Sequence, residues 1–162
     1  MIGTVTRTSR LLGLAGLLPQ IMAVAGLLAA VLPPSSYAGR ASPAAAIALV
    51  YPLVIFSFLG GMWWGLAMRT EARQPAIVTL AVVPSLLALA LFGALVAVRD
   101  PRWAFIALGS AIVLTLLVDR WLVRIGVAPE GWMQLRVPLS VGLGGLTILA
   151  GLLIAAVPGA LS

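Results

Sequence analysis

Apolar residues fill five long stretches of this chain, and the charged residues lie in the short segments around them or at their ends. Each stretch is predicted to be a helix, because an unpaired backbone group in hydrocarbon costs several kcal/mol and a helix pairs its own. About 20 residues rising ~1.5 Å each span a hydrocarbon layer of about 30 Å. The predicted helices are residues 11–32, 43–68, 75–98, 102–118 and 135–157.

The composition indicates that the chain is surrounded by lipid rather than by water. Of the 162 residues, 62% are apolar and 9% are charged, whereas soluble domains hold about half apolar and a quarter charged residues. Pro43, Pro75 and Pro101 stand at or just before helix starts, where a missing N–H does little harm. The sequence therefore predicts a single all-α domain, an integral membrane bundle of five transmembrane helices.

The arginines predict how this bundle is oriented, since positive connectors are retained on the cytoplasmic side of a membrane. With the N-terminus inside, seven of the ten arginines lie on the cytoplasmic side and three on the other. The seven are Arg7, Arg10, Arg69, Arg73, Arg120, Arg124 and Arg136. We expect a multi-pass protein of the bacterial inner membrane, with a cytoplasmic N-terminus and a periplasmic C-terminus.

Several kinds of chemistry are absent from the sequence. The chain has no Cys, His or Lys, which excludes disulfides, thiolate and imidazole chemistry and Schiff bases. The acidic residues Glu71, Asp100, Asp119 and Glu130 are spread over three connectors, so no carboxylate pair or metal-ligand set is predicted. We expect no enzyme activity, no cofactor and no metal. The net charge is +6, but the basic residues are spread singly between apolar runs and form no cluster. Nucleic acid is therefore not an expected partner.

The stretch "SFLGGMWWGLAMR", from Ser57 to Arg69, is the most unusual part of the sequence. Trp63 and Trp64 precede Arg69 by one to two turns, at the depth where aromatic belts form. Neighbouring helix positions point about 100° apart, so one indole is predicted to face the headgroups and the other the bundle. Gly61 and Gly65 form a small-xxx-small pair that predicts close packing of another helix. A packing groove and a ligand site against the indoles both fit this pattern.

The distinctive polar and aromatic residues are predicted to share the inner end of the bundle. Asp119 ends the fourth helix, and its candidate partners are Arg120, Arg124 and Arg136. Arg136 is preferred, because it belongs to the following helix and a pair would join two helices. The residues expected to contact a ligand or partner are Trp63, Trp64, Asp119, Trp132 and Arg136. A structural ion pair and a polar mouth for a ligand headgroup are the two interpretations of this group.

Several segments together resemble a known family. They are "GLAGLLP" from Gly13, Tyr51, "SFLGGMWWG" from Ser57, Asp119, and "PEGWMQLRVPLS" from Pro129. This set is similar to an uncharacterised family of small bacterial inner-membrane proteins with mitochondrial transmembrane relatives. The resemblance implies a membrane fold and location, and no activity is established for that family. Its members often carry His or another polar residue where this chain has Trp63.

Two main functional classes follow from these features. The first is a binding or carrier protein for a lipid or other lipophilic small molecule near the cytoplasmic face. The second is a structural or accessory subunit, or an assembly factor, for another membrane protein, and a homo-oligomer also fits the glycine pair. Five helices with several Trp further resemble the tryptophan-rich sensory proteins, which bind lipophilic ligands. Membrane lipids are partners in every case.

Overall fold

A computed structural model of the chain describes residues 5–31, 41–97 and 100–156. These residues form six α-helices: α1 Arg7–Ala15, α2 Leu18–Val31, α3 Ala41–Ala67, α4 Gln74–Ala97, α5 Arg102–Arg124 and α6 Trp132–Ile154. With α1 and α2 taken together, the described residues hold five segments long and apolar enough to cross a membrane. The predicted all-α, five-span membrane bundle is confirmed.

The predicted first helix is broken in two at Gly16 and Leu17. The backbone forms a tighter turn there. The Gly16 N–H donates to the carbonyl oxygens of Leu12 and Gly13, and the Leu17 N–H donates to that of Leu14. Pro19 follows as the second residue of α2 and has no N–H to donate to the preceding turn. The break therefore leaves polar backbone groups that another part of the chain must satisfy.

Other helix ends also differ from the predicted ones. Helix α5 continues to Arg124, beyond the predicted end at residue 118, and α6 begins at Trp132 rather than at residue 135. The longer α5 places Asp119 inside the helix, while Arg120 and Arg124 remain exposed on its last turns. The predicted ends at residues 32, 98 and 157 lie outside the described residues.

Two pairs of helices approach most closely at glycines. A Cβ added to Gly109 on α5 would lie 2.5 Å from the carbonyl oxygen of Gly144 on α6, and the reverse distance is 2.6 Å. A Cβ on Gly60 of α3 would overlap the carbonyl oxygen of Ala81 on α4. These contacts bring backbones together, which is how membrane helices gain packing energy.

The predicted packing at Gly61 and Gly65 is not found in the described chain. A Cβ at either position would meet nothing within 4 Å, and both glycines are exposed. The neighbouring Gly60 makes the close contact instead, because it is the residue of that turn that faces α4. Packing of a helix from another protein on Gly61 and Gly65 stays a prediction.

Exposed arginines collect at one end of the bundle. This end is where α3 and α5 finish and α4 and α6 start, and we call it the basic end. Its exposed arginines among the described residues are Arg7, Arg10, Arg69, Arg73, Arg120 and Arg124. All the candidate site residues predicted from sequence lie at or near this end.

Candidate functional site

A buried ion pair joins α5 to α6 near the basic end. Arg136 Nε donates to Asp119 Oδ2 at 2.8 Å, and the two residues are 4% and 0% exposed. The connector between the helices turns through Gly126 at φ 71° and Gly131 at φ 76°, a backbone region that favours glycine. This turn sets the first turns of α6 beside the last turns of α5. The predicted preference of Asp119 for Arg136 is confirmed.

Two tryptophans donate hydrogen bonds to the same carboxylate. The indole N–H groups of Trp63 and Trp132 each donate to Asp119 Oδ1 at 3.0 Å. On the other side, Arg136 Nη2 donates to Thr115 Oγ1 at 3.4 Å. We call these five residues the Asp119 cluster. Both carboxylate oxygens are occupied, so the cluster joins α3, α5 and α6 through charge-assisted hydrogen bonds in a region of low dielectric.

The structure brings together four of the five residues predicted to contact a ligand or partner. Trp63, Asp119, Trp132 and Arg136 are all members of the Asp119 cluster. Trp64 is separate, because it points away from the bundle and is 45% exposed, whereas Trp63 is 2% exposed. The prediction that the two indoles face different environments is confirmed.

A cavity of about 280 Å³ lies beside the Asp119 cluster, between the break that separates α1 from α2, helix α3 and helix α6. Most of its wall is apolar. The apolar residues that line it include Leu12, Leu17, Ile55, Leu59, Met62 and Leu139. Trp132 and Arg136 also line it, so the cluster forms one wall of the cavity.

Two further hydroxyl groups belong to the cavity wall. Tyr51 donates its O–H to the carbonyl oxygen of Gly16 and so satisfies a backbone group freed by the helix break. Ser140 is 2% exposed, and its Oγ has no hydrogen-bond partner in the part of the chain that the structure describes. Sequence reasoning did not place Tyr51 or Ser140 in the site. The available signal for Ser140 was its position one helical turn after Arg136, on the same face of α6.

Helix α1 covers one side of this cavity. Leu12 and Gly13 line it, and a Cβ at Gly13 would lie 2.9 Å from Leu135 Cδ1. The segment before the cavity is held by Arg10, which donates to the side-chain oxygen of Gln134, and by the Val5 N–H, which donates to the Glu130 carbonyl at 3.3 Å. Val5 is thus bonded to the connector that precedes α6, and α1 is bonded to the first turn of α6.

Acidic side chains do not converge anywhere in residues 5–31, 41–97 and 100–156. No group of three or more metal-binding side chains occurs there. Within the same ranges the cavity lining contains no carboxylate, since Asp119 faces the cluster and is itself enclosed. The described lining therefore combines hydrogen-bonding side chains with apolar surface.

A model of one protein family matches the chain from residue 5 to residue 153, which spans α1 to the penultimate residue of α6. The chain belongs to the DUF3429 family. That family is described as one of unknown function, which confirms the predicted membership in an uncharacterised family. Neither a curated protein nor a solved structure matches the chain.

Proposed function

We propose that this DUF3429 protein binds a lipid or other lipophilic small molecule in the cavity beside the Asp119 cluster. The observation that carries the proposal is the cavity itself: about 280 Å³, apolar over most of its wall, with Arg136 and Ser140 at one side. Ligand pockets of roughly 300–1,000 Å³ commonly combine apolar walls with a few convergent polar groups.

The side of the cavity covered by α1 is the entry route that we propose for a ligand from the bilayer. Leu12 and Gly13 of α1 line the cavity, and α1 has no buried residue of its own. A helix held mainly by a few polar contacts is displaced at lower cost than one packed in the core. The ligand therefore enters beside α1, near the headgroup level at the basic end.

The charge pattern supports an orientation of the bundle in the membrane. Seven arginines against three favour a cytoplasmic basic end. We place the protein in the bacterial inner membrane with the cavity near the cytoplasmic face.

Cavity filling gives the most direct test. Leu139 lines the cavity, and Leu139→Trp adds an indole to that space. Val141 on the same helix is exposed, so Val141→Trp adds the same bulk outside the cavity and is the matched control. Native mass spectrometry of protein purified in mild detergent should show a small-molecule adduct on wild type and Val141→Trp, reduced about tenfold or more in Leu139→Trp. An equal adduct on both variants, or no adduct on any protein from several expression hosts, would contradict the proposal.

A second candidate function rests on the outer face of α3. Exposed Phe58, Gly61, Trp64, Gly65 and Met68 follow one another at helical spacing, and nothing in the described chain packs on the two glycines. This face suits an accessory subunit that holds another membrane protein. Gly61→Leu should then remove a stoichiometric co-purifying protein while the small-molecule adduct is retained. Co-purification that survives Gly61→Leu would exclude this face as the contact.

A further inference from the structure

The polar side of the cavity has unused donors. Trp132 and Tyr51 already donate to Asp119 and Gly16. The guanidinium of Arg136 uses Nε and Nη2 in the contacts of the described residues, and it has further N–H groups and no acceptor. The Ser140 hydroxyl is without a partner in the same residues. A bound molecule therefore has to supply an acceptor.

The charge of the cavity wall favours a neutral ligand over an anionic or cationic one. Arg136 is the cationic member of the lining, and Asp119 neutralises it at 2.8 Å. An anionic ligand would add a second negative charge beside a pair that is already balanced, and the desolvation penalty per ion in a protein interior is several kcal/mol. A cationic ligand would meet Arg136 with no free carboxylate in the described lining. A neutral molecule meets neither penalty.

The position of the donors within the cavity gives the ligand an orientation. The lining residues of α6 run from Trp132 to Leu143, a rise of about 17 Å at ~1.5 Å per residue. Arg136 and Ser140 lie within this length, and Leu143 with Ile112 forms the apolar wall deeper in the bundle. A ligand with a polar end and an apolar body would place its body against Leu143 and Ile112.

We propose, on the basis of the function proposed above, that the ligand is a neutral lipophilic molecule with a carbonyl-type oxygen at its polar end. The oxygen accepts hydrogen bonds from Ser140 and Arg136, and the apolar body extends towards the middle of the bundle. Ketones, quinones and uncharged esters belong to this class. Fatty acids, lipid phosphates and amines do not.

A matched set of probes tests the headgroup alone. The probes are tritiated 2-tridecanone, tridecanesulfonate and tridecane, which share an alkyl chain and carry a neutral acceptor, a permanent anion and no polar group. Binding is measured on the full chain in nanodiscs of zwitterionic lipid, with empty nanodiscs as the correction for partition into lipid. The ketone should bind about tenfold or more tightly than either other probe, because it alone gains hydrogen bonds without adding charge.

The role of Ser140 is tested with a second serine as the control. Ser140→Ala should reduce the advantage of the ketone over tridecane by about threefold or more and leave tridecane binding unchanged. Ser85 is exposed on α4 and lies outside the cavity lining, so Ser85→Ala should change neither value. An advantage that survives Ser140→Ala would overturn the assignment of the ketone oxygen to Ser140.

The probe series on wild type separates failure of this inference from failure of the proposed function. Equal binding of all the probes, or tightest binding of the sulfonate, overturns the neutral-carbonyl class while the cavity remains a lipophile site. No binding of any probe above empty nanodiscs overturns both. Loss of all binding in Leu139→Trp, with the ketone preference retained in Val141→Trp, places the measured site in the cavity.

Discussion

The indole N–H of Trp63 on α3 donates to Asp119 Oδ1 on α5 at 3.0 Å, and the next residue, Trp64, points away from the bundle. This contact explains why the chain carries adjacent tryptophans. Trp63 donates a hydrogen bond to one oxygen of a buried carboxylate. Trp64 has the amphipathic shape that suits the membrane interface. One residue therefore acts in the bundle and the other at its surface.

Replacing each tryptophan by phenylalanine should separate these roles. Trp63→Phe removes a donor to a charged acceptor and should lower the free energy of unfolding by about 1.5–3 kcal/mol. Trp64→Phe keeps an aromatic ring on an exposed face and should change it little. Reversible unfolding in mixed detergent micelles measures both variants. Equal losses for the two variants would contradict the assignment of Trp63 to the Asp119 cluster.

Removing the charge of Asp119 should be more costly than removing one of its donors. Asp119→Asn leaves Arg136, which is 4% exposed, without a counter-ion. Breaking a buried pair in this way costs about 3–5 kcal/mol, whereas replacing both partners by apolar residues costs much less. The double variant Asp119→Leu with Arg136→Met should therefore have a larger free energy of unfolding than Asp119→Asn, measured in the same mixed detergent micelles. If the double variant is the less stable of the two, the pair stabilises the bundle by more than charge balance.

How much the sequence could predict depends on the range of each interaction. The five spans follow from local apolar length, and the Asp119–Arg136 pair follows from two charges at facing helix ends. The break at Gly16 and the cavity behind it depend on contacts distant in sequence, such as Tyr51 with the Gly16 carbonyl. Helical spacing identified the glycine-rich turn of α3, but it could not tell which glycine faces α4. That choice is made by tertiary packing.

The glycines of α3 give a prediction with a control one residue away. Gly60→Ala should destabilise the bundle by about 1–3 kcal/mol, because its Cβ would overlap the Ala81 carbonyl and force α3 and α4 apart. Gly61→Ala has free space and replaces a poor helix former, so stability should be unchanged or raised by up to about 1 kcal/mol. Thermal unfolding of the two variants in the same detergent compares them. A larger loss for Gly61→Ala would show that its exposed side is covered by a partner.

The Asp100 carboxyl, in the connector before α5, should have a lowered pKa. Hydrogen bonding from the Arg102 side chain lowers the pKa of the Asp100 carboxyl below its ordinary value of 3.8, with partial desolvation acting against it. A carboxyl whose pKa is lower in the folded state adds stability above its unfolded pKa and loses that contribution as the pH falls through the folded value. Carbon-13 NMR of labelled Asp100 should therefore give a midpoint below 3.8, and Arg102→Gln should raise it. An unchanged midpoint in Arg102→Gln would exclude the guanidinium as the cause.

The orientation of the bundle can be tested cleanly because the natural chain has no cysteine. Glu71 lies in the connector between α3 and α4 at the basic end, and Asp100 lies in the connector between α4 and α5 at the opposite end. With a cytoplasmic basic end, a membrane-impermeant maleimide added to bacterial cells that retain an intact inner membrane should label Asp100→Cys and not Glu71→Cys. Permeabilised cells should label both, which controls for reactivity. The reverse pattern would place the Asp119 cluster and its cavity at the periplasmic face, and a ligand would then enter from the outer leaflet.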